Sequence, residues 1–205
     1  LSLFFCYYFV MKRFLCPIVI LLSLPLIFQS TPTEILKLRT FDALVKQYEP
    51  SGNFAILNIT EEDVENEGGY PFPRRRLAEI QVELINAGAI GVGWVISFPQ
   101  ADRMGGDQVF ATTLGYAPSV LAMFEDNSGN YPKPTGTVVK GNDVRAIVSM
   151  GVKENLNTLK DNTLQGLAIA PTEVDQLVRR IPLLVSTPEN EWIPAFGTQI
   201  YKALF

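Results

Sequence analysis

The chain has 205 residues, two cysteines, no histidine and a formal net charge of −4. Without histidine it cannot build Ser–His–Asp or Cys–His nucleophile systems, HExxH metal sites or an imidazole general base, and the mild charge does not favour nucleic acid as a partner. Both cysteines, Cys6 and Cys16, precede residue 30, so the remainder has no disulfide and no thiolate metal site, and we predict no catalytic residue, metal or cofactor.

Residues 11–30 (MKRFLCPIVILLSLPLIFQS) predict a transmembrane anchor. Lys12 and Arg13 favour a cytoplasmic start, because flanking cations set the orientation of a span, so everything after residue 30 is exported. The apolar run 14–28 is short for a full span, and a cleaved signal peptide is the alternative. The boundary lacks the small residues that cleavage requires, which favours a retained anchor.

Both ends of the chain carry a prediction of their own. Residues 1–10 precede the first methionine, Met11, and we interpret them as a non-native upstream extension. Phe205 ends a segment that is still apolar, which indicates a fragment truncated at its C-terminus. Residues 31–205 suit one domain of ordinary size. We expect this domain in the periplasm and its anchor in the inner membrane.

The first elements after the anchor alternate between polar boundaries and apolar runs. Thr31-Pro32-Thr33-Glu34 has the capping-box pattern with proline at the first helical position, and the helix it predicts ends by Pro50. Asn53–Ile59 predicts a buried strand. The acidic segment Glu61–Glu67 predicts a loop or a short solvated helical turn. Tyr70-Pro71-Phe72-Pro73 predicts a stiff aromatic turn.

A helix is predicted over Arg74–Asn86, where apolar residues recur on one face, and Gly88 ends it. The segment 89–96 is apolar throughout and predicts a strand buried on both faces. A polar loop follows over 100–106. Asp107 is suited to cap a short helix that runs to Leu114.

The alternation of strands and helices through residues 53–124 predicts a βαβαβ arrangement. The fold class is therefore α/β, with a mostly parallel sheet flanked by helices in a single domain. The third strand of this arrangement is 119–124. Beyond it the pattern predicts an exposed loop at 126–141, further strands at 144–152, 164–170 and 180–186, and a closing amphipathic helix at 194–205.

Four ordered segments resemble the type-two CHASE domain, a bacterial extracellular sensory domain. The first is the membrane-proximal helix with Phe41-Asp42, and the second is AILNITEEDVENEGGYPFPRRRLAEI, which contains a WPWPR-like turn. The third is GAIGVGWVISF followed by ADRMGGD. The fourth is VDQLVRRIPLLV with PAFGTQIYKAL, similar to the family's late DG-x-x-R-x-x-PL strand and closing helix. Together they cover about residues 34–205.

The chain also departs from the family pattern. Thr60 and Val95 stand where the family often has acidic residues, and Tyr70 and Phe72 replace two tryptophans of the turn. The resemblance implies a signal-input module that is normally followed by transmembrane helices and a cytoplasmic cyclase or kinase. No such output is present in this chain.

The arginine cluster Arg74–Arg76 provides the first candidate site. Cations at a helix start oppose the helix dipole, so one interpretation is that the acidic segment 61–67 neutralises them. The other is an anion-accepting edge in which helix N–H groups lie beside Arg74. Tyr70 and Phe72 would then cover a bound ligand, although bare aromatics in this pattern are typical of a core.

Asp102, Arg103 and Asp107 form the second candidate, because they follow the second predicted strand. In open α/β sheets ligands bind at the carboxyl ends of the strands. The alternative is ordinary loop polarity with Asp107 as a helix cap. Further along, Asp175 and Arg179 are expected to form a turn and an ion pair at a strand start.

These observations predict a non-enzymatic sensory domain anchored in the inner membrane. It would bind an unknown small ligand or an envelope partner, and the anchor leaves open a homodimer. The alternative is an exported solute-binding or cell-envelope interaction protein, complete as it stands. An exported carboxylate-dependent enzyme is a third hypothesis, which the missing histidine disfavours.

Overall fold

A computed structural model describes residues 30–46, 48–132 and 147–205, together with the single positions Pro17 and Ser23. Apart from those two positions and Ser30, the predicted extension and anchor lie outside the described residues. Within the described ranges, no helix combines the length and the hydropathy that crossing a bilayer requires. The chain divides into two compact units, residues 1–56 with 172–179, and residues 57–171 with 180–205.

The first unit contains helix α1, Thr31–Leu44. Ser30 is its N-cap, so Thr31 is already helical and proline occupies the second helical position. The predicted capping box at Thr31 is therefore wrong by one residue, and the side chain of Ser30 makes no capping bond. The helix ends well before Pro50. Leu38 is its buried apolar residue.

The strand predicted over Asn53–Ile59 does not form. Phe54 is 78% exposed and Ile56 95% exposed, so the run is apolar but not buried. A strand forms when its backbone N–H and C=O groups pair with a neighbouring strand. Among the described strands, β1 (Val92–Trp94) pairs with the next strand along the chain and has no strand on its other edge. The expected βαβαβ pattern therefore loses its first strand.

The second unit is built on a parallel sheet, which confirms the predicted α/β class. Strand β2 (Ser119–Glu125) lies between β1 and β4 (Leu164–Leu167), parallel to both. The short β3 (Val152–Lys153) pairs antiparallel with the end of β2. A separate antiparallel pair follows, β5 (Leu184–Ser186) with β6 (Trp192–Pro194).

Helices cover this sheet. The remaining ones are α2 (Glu61–Asn66), α3 (Arg74–Asn86), α4 (Asp107–Leu114), α5 (Asn157–Lys160) and α6 (Phe196–Leu204). The bounds of α3 are those predicted, whereas α4 ends at the predicted Leu114 but begins at Asp107, which was expected to be its cap. Helix α6 begins two residues later than expected, because Pro194 closes β6. Neither α5 nor β6 was predicted.

The core lies between the sheet and the pair α3–α4. It is centred on aromatic contacts, with Phe110 edge-on to Trp94 at 5.3 Å and to Phe98 at 5.5 Å. Helix α6 packs closely on the sheet through glycines, since a Cβ on Gly93 would lie 2.9 Å from Phe196 and Ile200. The expectation that the segment 89–96 is buried on both faces is wrong, because it forms only the three-residue β1, and Ile90 and Val95 are exposed.

Candidate functional site

Asp102 joins the N-termini of two helices through one carboxylate. Its Oδ2 accepts hydrogen bonds from the backbone N–H of Arg74 at 3.0 Å and of Gly106 at 3.1 Å. Its Oδ1 accepts from the N–H of Met104 at 3.1 Å. Arg74 is the first residue of α3 and Gly106 is the N-cap of α4. Burial alone would raise the pKa of Asp102, but these three donors outweigh it and lower the pKa below its ordinary value.

Arg74 lies almost fully inside the protein, with a side chain that is 10% exposed. Its guanidinium carbon is 4.3 Å from the centre of the Phe98 ring, a cation–π contact. Burial lowers the pKa of Arg74, and the carboxylates of Asp107 and Asp102 oppose that effect. The sequence predicted Arg74 at a helix start, either neutralised by the acidic segment 61–67 or available to an anion. The structure instead places this side chain on the core.

Arg74 and Asp107 face one another without a direct hydrogen bond. Arg74 Nε is 3.6 Å from Asp107 Oδ1. Both atoms are buried and have no hydrogen-bond partner among the described residues. The other oxygen, Asp107 Oδ2, accepts from the backbone N–H of Asp102 at 2.8 Å. A cation and a carboxylate with unused hydrogen-bonding capacity therefore lie at the carboxyl end of β1, next to two helix N-termini.

Three of the predicted site residues thus lie together, namely Arg74, Asp102 and Asp107. Asp107 was expected to cap α4, but Gly106 occupies that position and Asp107 is the first helical residue. Neutralisation by the acidic segment holds for Arg76, whose Nε lies 2.8 Å from Glu67. It does not hold for Arg74, which is paired with Asp107.

The other predicted residues differ in their surroundings. Phe72 is buried in the core cluster, as the alternative interpretation expected. Tyr70 is exposed and lies edge-on to Phe72 at 6.1 Å. Arg103 is exposed in the loop, and within the described ranges its side chain makes no hydrogen bond or ion pair. The structure therefore gives no contact that joins Arg103 to the Arg74–Asp107 pair.

Sequence reasoning missed a buried amide, Asn155, that connects β2 and β4 with the segment that follows β1. Its Oδ1 accepts from the N–H of Phe98 at 2.7 Å, beyond the end of β1. Its Nδ2 donates to the carbonyl of Ala122 in β2 at 2.9 Å and to Gln165 Oε1 in β4 at 2.9 Å. Asn155 therefore fixes the spacing of the strand ends near the candidate site. A single asparagine in an irregular segment offers no pattern that could have indicated this.

A second missed amide is Gln81, which is fully buried on α3. It accepts from the indole N–H of Trp94 at 2.8 Å and donates to Ser119 Oγ at 3.0 Å. The signal that was available is a glutamine four residues after Leu77, on the apolar face of a predicted helix.

The first unit contains its own charged cluster around Arg179. Arg179 binds both oxygens of Asp175, at 2.7 and 2.6 Å, so the predicted ion pair is confirmed. Asp42 of α1 also joins it, which the sequence did not indicate. The segment forms a turn, as predicted, but no strand begins there.

The polar residues of this α/β protein hold helix ends and strand ends in place. In the described ranges, no group of three or more acidic or thiol side chains is arranged to bind a metal. The family model of the CHASE2 domain matches residues 18–204. The chain therefore belongs to the CHASE2 family, whose members are extracellular sensory domains of receptors. No curated protein and no solved structure matches it.

Proposed function

We propose that this chain is the non-catalytic signal-input domain of a bacterial inner-membrane receptor, and that it senses an anionic ligand at the edge formed by Arg74, Asp102 and Asp107. Family membership supports the sensory role. The observation that carries the site is the buried Arg74–Asp107 pair, since both partners keep polar atoms without a hydrogen-bond partner in the described structure. Such atoms are costly unless another state or a ligand uses them.

An oxyanion fits the arginine side of this pair. Arginine presents a planar fork of donors that matches a carboxylate or phosphate, and the nearby helix N-termini favour negative charge. Binding would draw Arg74 away from Asp107. Because Asp102 is bonded to both helices, a shift of its loop would move the starts of α3 and α4 together. The signal is then a population shift between two packings of these helices.

On the output side, α1 follows the predicted anchor directly in the sequence. Arg179 binds Asp42 of this helix, and the peptide bond from Arg179 to Arg180 leads into the second unit. We propose that the cluster around Arg179 transmits the signal to α1, and through the anchor to a cytoplasmic cyclase or kinase.

Two observations test the topology and the coupling. A reporter fused at Asn127 should be active only outside the cytoplasm, and Lys12 should lie inside. The genomic reading frame should continue past Phe205 into hydrophobic spans and an output domain. A cytoplasmic signal from the Asn127 fusion would overturn the topology. A stop codon soon after Phe205 would favour the alternative of an exported binding protein.

The site itself is tested by Arg74→Lys in the intact receptor, with succinate and inorganic phosphate as probe oxyanions. Lysine keeps the positive charge beside Asp107 but loses the fork and its stacking on Phe98. The output response should fall while the expressed amount of receptor is maintained. Arg75→Lys is the matched control, because Arg75 is adjacent and exposed. Equal responses of both variants would remove Arg74 from the sensing mechanism.

A further inference from the structure

A cavity lies within the second unit, beside the β5–β6 pair, and we call it the hairpin cavity. Its volume is about 590 Å³, which is in the range of small-molecule binding sites. Its apolar lining includes Met123, Trp192, Ile193 and Pro194. Its polar lining includes Glu154, Lys160, Asp161, Gln165, Glu191 and Gln199. None of these residues belongs to the Arg74 site.

Gln199 of α6 has an unfilled acceptor in this lining. The residue is 1% exposed, and its Nε2 donates to the backbone carbonyl of Gln165 at 2.8 Å. A carbonyl can only accept, so the amide nitrogen must be on that side and the orientation of the amide is determined. Gln199 Oε1 is then left buried with no hydrogen-bond partner among the described residues.

Two donor side chains of the lining bind Glu154 rather than Gln199. Lys160 Nζ binds both oxygens of Glu154, at 3.1 and 3.2 Å. Gln165 Nε2 donates to the same carboxylate at 3.3 Å. Asp161 and Glu191 are exposed at the rim, and their carboxylates have no ion pair or hydrogen bond within the described ranges. The ionisable groups of the lining are therefore three carboxylates and one ammonium group, which leaves an excess of negative charge.

We propose that the hairpin cavity is a binding site for an organic ammonium ion with an apolar body. The ammonium group supplies the N–H donors that Gln199 Oε1 and the rim carboxylates lack. Its charge is opposite to the excess charge of the lining. Trp192 offers an aromatic surface on which a cation or an apolar chain is stabilised. An anion of the same shape meets like charges, and a neutral alcohol loses the charge-assisted bonds.

The test is calorimetric titration of the full chain with 2-phenylethylammonium, 2-phenylethanol and 3-phenylpropanoate. The ammonium compound should bind at least about tenfold more tightly than the other two, the gap expected when one charge-assisted hydrogen bond is lost. The double variant Asp161→Asn/Glu191→Gln should raise its Kd about tenfold. Both residues are exposed, so the variant should fold. Gln199→Met should also weaken binding, since it removes the inner acceptor.

Glu189→Gln is the matched control for Glu191→Gln. It removes the same charge two residues away, from an exposed side chain outside the cavity lining. Its Kd should stay within about twofold of the parent value. Equal weakening by Glu189→Gln and Glu191→Gln would show general charge attraction and overturn the proposal. Absence of ammonium binding, or equal binding of the alcohol, would also overturn it. Arg74→Lys should leave this titration unchanged, so a failure of the proposed Arg74 site can be distinguished from a failure of the proposed hairpin cavity site.

Discussion

Arg179 and Asp42 are 137 residues apart in the chain, yet Nε and Nη2 of the arginine donate to the two carboxylate oxygens of the aspartate at 2.8 and 2.7 Å. The same guanidinium binds Asp175 through Nη1 and Nη2. Its side chain is only 6% exposed. The planar guanidinium is therefore shared between two carboxylates, which holds α1 against the turn at Asp175 within the first unit.

This cluster predicts how stability changes with pH. Hydrogen bonding to Arg179 lowers the pKa of Asp175 to about 2 and also lowers the pKa of Asp42. A depressed folded-state pKa gives stability that is present above the unfolded value, about 3.9, and is lost as pH falls through the folded value. Arg179→Gln should therefore be destabilising at pH 6, and the difference from the parent should shrink between about pH 4 and pH 2.

Urea unfolding at a series of pH values measures this difference. Arg39→Gln is the control, because Arg39 is an exposed cation on the same helix. It should have little effect at any pH. A constant difference between Arg179→Gln and the parent across the acid range would mean that the ion pairs do not carry the stabilisation.

The backbone conformation of Gln176 predicts that a glycine at this position would stabilise the protein. Its φ is +63°, in the left-handed region that glycine adopts without steric cost. It stands at the glycine of the family's DG-x-x-R pattern, so the family residue and the backbone agree. Gln176→Gly should raise the free energy of unfolding by up to about 1 kcal/mol, because the Cβ penalty exceeds the added chain entropy of glycine.

Asn190 provides the comparison, since its φ is +61° and it is also exposed. Asparagine tolerates this region better than glutamine, so Asn190→Gly should gain less in a thermal melt. If Gln176→Gly is destabilising while Asn190→Gly is not, the side chain of Gln176 contributes contacts that outweigh its backbone strain.

The elements that could be predicted are those with a local cause. Apolar spacing and Gly88 determine α3, and the polar loop before Asp107 determines the start of α4. The segment 53–59 shows what local patterns omit, because an apolar run does not specify a pairing partner. The burial of Arg74 was likewise not predictable, since it depends on the Phe98 ring, which comes from another part of the chain.

The buried hydrogen bonds of Asn155 predict that replacing this one side chain lowers the stability of the fold substantially. Asn155→Ala removes the interior partners of the Phe98 N–H and the Ala122 carbonyl, while Gln165 Oε1 keeps the backbone N–H of residue 155. The free energy of unfolding should fall by about 3 kcal/mol, which urea unfolding measures. Asn157→Ala, at an exposed position two residues later, should change it by less than about 0.5 kcal/mol. Similar effects from both variants would contradict the central role of Asn155.

Asp102 allows the joint capping of α3 and α4 to be tested directly. Three backbone donors, from Arg74, Met104 and Gly106, converge on its two oxygens. Asp102→Ala removes both oxygens, so all three donors are left without their acceptor. We expect a loss of about 2 kcal/mol in the free energy of unfolding.

Amide hydrogen exchange separates this effect from a general loss of stability. Under native conditions the amides of Arg74 and Gly106 should exchange faster in Asp102→Ala, and both should change together because one oxygen, Oδ2, accepts from both. Arg103→Gln, an exposed neighbour in the same loop, should leave both amides protected. If only one of the two helix starts loses protection, Asp102 caps a single helix and a shift of its loop would not move α3 and α4 as a pair.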